Sequence, residues 1–168
     1  MLVINLLLCA LVLVAAIKTL KGMSVQPNDR VGKEIQKSGC PSKYPYFENR
    51  NDVDIHGILV GDGVCRGDFY DYFFVDDHHL MFYVGELSNN GVNASLMINN
   101  IRSIIRQLSS QSLTLGEIAS HINDYLIREG GDSSICSLWI AILNTYNGKL
   151  HSLDAGAVTP FIKQNKKE

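Results

Sequence analysis

The stretch GDFYDYFFVDDHHLMFYVGELSNNGVNA, residues 67–94, is the part of the chain that decides the fold. Two aromatic and β-branched runs, 69–75 and 80–84, predict two strands that are central in a sheet. The polar residues between them, centred on Asp76-Asp77-His78, predict a tight turn. We therefore expect an antiparallel hairpin, followed by a loop and the start of a helix.

Two carboxylates stand near the ends of this predicted hairpin. Asp68 opens the first strand and Glu86 closes the second, at similar distances from the turn. We expect them to meet at one end of the hairpin, and hard divalent cations prefer oxygen ligands, so the pair is a candidate metal site. The alternative is that both are solvated strand-end residues, since such short patterns are not specific. His78 and His79 lie at the other end, where we expect solvent-exposed side chains rather than metal ligands.

Two motifs in this stretch resemble those of PPM-type metal-dependent serine/threonine phosphatases, in the bacterial branch that includes SpoIIE and RsbU-like regulators. The first is Gly67-Asp68-Phe69-Tyr70-Asp71, which is similar to the family's G-G-D-F-Y-D. The second is GELSNNGVNAS, residues 85–95, which is similar to G-D-V-S-G-x-G-x-x-A-A. The resemblance covers residues 33–168 and is strongest over residues 67–95.

The resemblance implies a fold, a cofactor and a set of ligands. The fold is α+β, an incomplete α-β-β-α sandwich of antiparallel sheets with a helix pair packed on one face. The cofactor is Mn²⁺ or Mg²⁺ in a two-metal centre, held by Asp68, Glu86 and the backbone carbonyl of Leu87. The implied reaction is direct attack of an activated water on the phosphorus of a phosphoserine or phosphothreonine.

The chain also departs from the family pattern. Glu86 stands where the family has Asp, and Asn89-Asn90 replaces a Gly-His or Gly-Lys pair. Asp154 and Ala157 replace an Asn and a His. The family's two later aspartates, in D-G and D-D-x-T motifs, have no counterpart before Glu168. We therefore expect a fragment of a longer protein or a degenerate relative, with weak or no activity.

The N-terminus predicts a membrane segment. Residues 1–17, MLVINLLLCALVLVAAI, are apolar apart from Asn5, and Lys18 and Lys21 follow. This is the lower limit of a bilayer span, and the positive-inside tendency places the following chain in the cytoplasm. We expect residues 1–21 to form a single-pass anchor in the cell membrane. A cleaved signal peptide and the last span of a longer sensor are alternatives.

Composition limits the remaining function classes. The formal net charge of −2 gives no basic field, so no nucleic-acid partner is expected. The four cysteines form no C-x-x-C pair, so we expect reduced, mostly buried thiols at Cys9, Cys40, Cys65 and Cys136.

The remaining chain divides into a linker and a globular domain. Residues 22–52 are predicted to be a linker that contains a short helix at 30–37. This helix is either a signalling helix, as the resemblance implies, or a simple tether. Residues 53–168 read as a partial phosphatase domain that begins with an edge strand at 53–60.

Two amphipathic helices follow the hairpin. The apolar stripe Ala94, Ile98, Ile101, Ile105 and Leu108 predicts the first, with Arg102 and Arg106 as ordinary surface charges. A capping box of Thr114 and Glu117 opens the second, at 115–128. Strands at 137–143 and 149–154 are joined by an Asn147-Gly148 turn, with another strand at 159–163.

Two functions follow from these observations. The first is a membrane-tethered protein phosphatase that acts on a phosphorylated regulatory protein of the anti-sigma-factor-antagonist type, as the resemblance implies. The second is a non-catalytic pseudophosphatase or fragment that binds a partner in signalling.

Overall fold

A computed structural model describes residues 27–44, 46–60, 66–130, 134–157 and 160–163. Within these ranges the chain forms helices and a single antiparallel sheet, in the order α1 (Pro27–Gly39), β1 (Asp68–Phe74), β2 (His79–Leu87), α2 (Gly91–Ser109), α3 (Leu115–Glu129), β3 (Cys136–Asn144) and β4 (Leu150–Ala155). The predicted anchor at 1–21 lies outside the described residues, as do Cys9 and Cys65. No helix in the described part of the chain is long and apolar enough to cross a bilayer.

The sheet has the order β1-β2-β3-β4, and each strand is antiparallel to its neighbour. The predicted hairpin is confirmed, with Asp68 opposite Glu86 at one end and Phe74 opposite Leu80 at the other. The prediction that both strands are central is right for β2 only, since β1 lies at the edge of the described sheet. The aromatic run of β1 reflects burial on both faces instead, because every residue from Phe69 to Phe73 is buried.

One face of the sheet packs against α2 and α3. The buried side chains of this core are the odd-numbered residues of β1 and β2, two residues of β3 and the apolar stripes of both helices: Phe69, Phe73, Met81, Tyr83, Leu87, Ala94, Ile98, Ile101, Ile105, Ile118, Ile122, Leu126, Leu138 and Ile140. The predicted helix pair on one face is thus confirmed. The second sheet of the expected sandwich is not among the described residues.

The opposite face of the sheet is covered by the segment that precedes β1. Phe47, Val53, Ile55 and Leu59 pack there against a second buried cluster that includes Tyr70 and Trp139. The edge strand predicted at 53–60 is wrong: alternate side chains do point inward, but this segment is not a strand of the sheet. Its backbone is held partly by a side chain instead, because the Tyr70 hydroxyl donates to the carbonyl of Gly57 at 2.8 Å.

Helix α1 is longer than the predicted 30–37 and packs on α2. The buried Ser95 hydroxyl of α2 donates to the carbonyl of Gly32 at 2.7 Å, which holds the two helices close together. On the other side, the amide of the buried Gln36 reaches the start of β1. Part of the predicted linker is therefore packed against the helix layer and the sheet.

The second half of the chain follows the prediction with small changes in bounds. The capping box is present, with the Glu117 backbone N–H donating to the Thr114 hydroxyl and the Glu117 carboxylate accepting from the Thr114 backbone N–H. Gly148, with a φ of +74°, closes the turn between β3 and β4. The strand predicted at 159–163 is not formed over the part that is described, residues 160–163.

Candidate functional site

The hairpin brings the two predicted acidic ligands together at one end of the sheet. Asp68 is the direct cross-strand partner of Glu86. The next pair along, Gly67 and Leu87, is joined by a hydrogen bond from the Leu87 N–H to the Gly67 carbonyl at 2.9 Å. Since hydrogen-bonded and non-hydrogen-bonded pairs alternate, Asp68 and Glu86 occupy a non-hydrogen-bonded position, where side chains are closest and Cα atoms are about 4.5 Å apart. Their side chains share one face of the sheet.

The carboxyl group of Asp68 lies in an unfavourable electrostatic environment. Burial raises the pKa of Asp68, the facing charge of Glu86 raises this pKa further, and Arg66 partly opposes both effects. Like charges directly opposite on a sheet are destabilising. A cation bound between the two carboxylates would remove this repulsion, so the pair has the electrostatics of a cation-binding site.

The third predicted ligand, the Leu87 carbonyl, lies against Gly67. A Cβ at position 67 would sit 1.6 Å from the Leu87 carbonyl oxygen, so only glycine fits there. The glycine of the first motif therefore allows the ends of β1 and β2 to approach each other. It also leaves the space beside the Leu87 oxygen free of a side chain.

These residues fit part of a divalent-cation site. Two carboxylates and a carbonyl are hard oxygen donors, as Mn²⁺ and Mg²⁺ require. No group of three or more His, Cys, Asp or Glu side chains that could hold a metal occurs among the residues the structure describes. The described part of the chain thus brings together two carboxylates and one carbonyl, which are fewer donors than a two-metal centre needs.

The loop after β2 sets the start of α2 beside this pair. The backbone N–H of Ser88 donates to the Ile135 carbonyl at 2.8 Å, and the Ile135 N–H donates to the Ser88 hydroxyl at 2.9 Å. Asn90 is the N-cap of α2 but makes no side-chain capping bond. Gly91 has a φ of +74°, which favours glycine, and it opens the helix.

A buried ion-pair network lies a few residues further along β1, and sequence reasoning missed it. Asp71 is 1% exposed, and Arg102 and Arg106 of α2 both bind its carboxylate, with nitrogen–oxygen distances of 2.8 to 3.1 Å. The prediction that these arginines are ordinary surface charges is therefore wrong. The available signal was an aspartate in the middle of an aromatic strand, followed by two arginines four residues apart on one helix.

The two histidines lie at the far end of the hairpin. His78 is exposed in the turn, as expected, whereas His79 opens β2 and is half-buried. The His79 Nδ1 atom is 2.8 Å from the Asp76 carboxylate, and its Nε2 atom is 3.1 Å from the Asn144 side chain. Both histidines are thus separated from Asp68 and Glu86 by the length of the strands.

Helix α1 also contacts the site. The Gln36 side chain is 4% exposed, and its amide donates to the carbonyl of Arg66 at 2.8 Å and to the carbonyl of Asp68. A cavity lies at this junction, lined by Lys33, Gln36, Lys37, Leu59, Val60, Arg66 and Asp68. The acidic pair is therefore bordered on one side by a basic surface.

Comparison with known proteins identifies relatives of the chain. The family model of Stage II sporulation protein E (SpoIIE) matches residues 76–168. Protein IcfG of Synechocystis sp. (strain ATCC 27184 / PCC 6803 / Kazusa) is 23% identical over 158 residues, covering 78% of this chain and 24% of that protein. The chain thus spans about a quarter of the length of this relative. A crystal structure of the RsbU and RsbW domains of Rv1364c from Mycobacterium tuberculosis is 21% identical, with a TM-score of 0.48, and the match covers 58% of this chain and 27% of that chain.

Proposed function

The chain belongs to the SpoIIE family, and from this premise we propose that it is a PPM-type protein phosphatase domain that hydrolyses phosphoserine or phosphothreonine on a regulatory protein. The observation that carries the proposal is the pairing of Asp68 with Glu86 at the end of the hairpin. Both residues lie in the motifs that resemble the metal-binding motifs of this family.

In this proposal the acidic pair binds Mn²⁺ or Mg²⁺, and the Leu87 carbonyl is a further donor. When bound, such a cation lowers the pKa of a coordinated water and offsets the charge of the phosphate oxygens. Burial, and then repulsion by Glu86, raises the pKa of Asp68, and a bound cation would relieve that repulsion. Two carboxylates are fewer than a two-metal centre needs, so the proposal requires further donor groups.

The physiological setting is also a proposal. The family resemblance supports a phosphorylated partner of the anti-sigma-factor-antagonist type. The apolar run at residues 1–17, followed by Lys18 and Lys21, supports a membrane tether that places the domain in the cytoplasm. Helix α1, which contacts both α2 and the start of β1, then connects the tether to the site.

A second candidate function is a non-catalytic, partner-binding domain. It is favoured by Glu86, which is one methylene longer than the aspartate of the family motif. Magnesium in particular demands near-ideal octahedral geometry, so a displaced ligand oxygen weakens the site. This candidate retains the fold and the partner but lacks turnover.

The experiment is a comparison of cation binding and turnover in the full chain, kept in a non-ionic detergent. Calorimetry measures Mn²⁺ binding, and hydrolysis of p-nitrophenyl phosphate measures turnover. We expect Asp68→Asn to abolish both, and Asp124→Asn, a change at an exposed position of α3, to leave both unchanged. We expect Glu86→Asp to tighten Mn²⁺ binding.

The outcomes separate the two candidates. Turnover that requires Asp68 supports the phosphatase. Mn²⁺ binding that requires Asp68, without turnover, supports the non-catalytic domain. Mn²⁺ binding that is unaffected by Asp68→Asn contradicts the assignment of the acidic pair.

A further inference from the structure

The cavity beside Asp68 has a basic lining. The cavity is small and opens to solvent between α1, residues 59–60 and the start of β1. Among the described residues that line it, Lys33, Lys37 and Arg66 are cationic and Asp68 is the one carboxylate. Such an excess of positive charge in a concave site attracts anions.

The basic residues are held in a fixed arrangement. Lys33 and Lys37 are four residues apart on α1 and therefore project from the same side of the helix. The buried Gln36 lies between them in sequence, and its amide bonds fix α1 to the backbone of Arg66 and Asp68. The two lysines and Arg66 thus face one space from two different elements.

Arg66 departs from the family pattern of the first motif. The family motif G-G-D-F-Y-D has glycine at the position that Arg66 occupies, directly before Gly67. The guanidinium group can bind two oxygens of a phosphate at once, whereas a lysine acts as a point charge. An arginine two residues before Asp68 therefore adds an anion-binding group next to the acidic pair.

We propose that this cavity binds the phosphoryl group of the substrate. Lys33, Lys37 and Arg66 bind the oxygens of a phosphoserine or phosphothreonine there. The proposal rests on the phosphatase function and deepens it. Leu59 and Val60, which line the same cavity, contact the apolar parts of the substrate chain. Asp68 then lies between the bound phosphate and Glu86.

Asp68 is expected to have opposite effects on phosphate binding and on turnover. The phosphate-binding site can therefore be tested separately from the phosphatase activity. An ionised carboxylate in the lining repels a phosphate, so removal of its charge favours phosphate binding. The same change removes a cation ligand, so it abolishes any turnover. The phosphate-binding site is therefore testable in the absence of metal and of activity.

The test is a titration of the full chain with inorganic phosphate in the presence of EDTA. Changes in the backbone amide chemical shifts in NMR spectra report phosphate binding. We expect Arg66→Gln and Lys33→Gln each to weaken phosphate binding about tenfold, the equivalent of 1.4 kcal/mol. We expect Asp68→Asn to tighten it. Lys149→Gln is the matched control, because it removes one exposed positive charge at the other end of the sheet and leaves binding unchanged.

A second titration uses O-phosphoserine and serine at constant ionic strength. We expect O-phosphoserine to bind and serine not to bind, with the largest shifts at Lys33, Gln36 and Lys37. Equal binding of phosphate by the wild type and Arg66→Gln would overturn the proposal. So would loss of binding in Lys149→Gln to the same extent, since that result indicates a general charge effect. Either result leaves the Mn²⁺ experiment on the acidic pair unaffected.

Discussion

Arg106 of α2 binds both carboxylate oxygens of Asp71 in β1, with Nε 2.8 Å from Oδ2 and Nη2 2.9 Å from Oδ1. Arg102, one turn earlier on the helix, adds a third contact at 3.1 Å. The carboxylate is fully buried, so the network fixes α2 to the edge strand at one register. The Arg106 guanidinium also lies over the ring of Phe73, with its central carbon 4.2 Å from the ring centroid, which is a cation–π contact.

We expect Asp71→Asn to destabilise the protein by about 3 kcal/mol, because it leaves two guanidinium groups without their charge partner. The value is at the low end of the range for buried pairs, since 41% of the Arg106 side chain is exposed and can be hydrated. Urea unfolding measures the change. Asp124→Asn is the control, and a change of less than about 0.5 kcal/mol is expected there. Equal stabilities for the two variants would show that the network does not hold α2 in place.

Substitution of Gly67 tests the close approach of β1 and β2. We expect Gly67→Ala to cost about 3 kcal/mol, the upper end of the range for overpacking, because the atom that the new methyl group meets is a backbone oxygen. The Ala variant should also lose Mn²⁺ binding, since the strand ends separate.

Gly116→Ala is the matched control for Gly67→Ala. Its Cβ would meet nothing closer than 3.9 Å in the first turn of α3, and alanine is the better helix former. Thermal unfolding should show this control to be unchanged or slightly more stable. A similar loss for both variants would contradict the steric argument.

Asp68→Asn tests the electrostatic strain at the acidic pair. The pKa of Asp68 in the folded protein is raised above its ordinary value of 3.8, mainly by burial and then by Glu86. Ionisation of Asp68 therefore reduces stability, and this loss develops as the pH rises through the raised pKa. We expect Asp68→Asn to be more stable than the wild type at pH 7, with no gain at pH 3, where both forms are neutral. Urea unfolding at the two pH values measures the difference, and a wild type that is the more stable at pH 7 would contradict it.

The thiols of Cys40 and Cys136 should react slowly with alkylating reagents. Burial raises the pKa of Cys136 to about 11, and burial also raises the pKa of Cys40. Since the thiolate is the reactive form, little of either residue is reactive near pH 8. Peptide mass spectrometry after iodoacetamide treatment should show both sites protected in the folded chain and modified in urea. Rapid modification of Cys136 in the folded chain would contradict the prediction that burial protects this thiol.

The sequence predicted the features that depend on local periodicity or on turn chemistry. Asp68 and Glu86 lie opposite each other because they are at similar distances from the same hairpin turn. The start of α3 follows from the Thr114–Glu117 capping box. Both depend on residues that are near in sequence, so a single pattern contains the information.

Features that depend on contacts between distant elements were missed. Arg102 and Arg106 lie off the apolar stripe of α2, and only the arrangement of the helix over β1 shows that Asp71 faces them. In the same way, residues 53–60 were expected to form an edge strand. Their side chains do alternate between half-buried and exposed, but their backbone does not pair with the sheet, and only the structure shows this.

The insertion of α2 and α3 between β2 and β3 also has a consequence for folding kinetics. The β1–β2 and β3–β4 pairs are hairpins, whereas β2 and β3 pair only after the chain has looped through both helices. Closing the longer loop has the larger entropic barrier. We therefore expect the two hairpins to form independently, and the pairing of β2 with β3 at the centre of the sheet to be the slow step of folding.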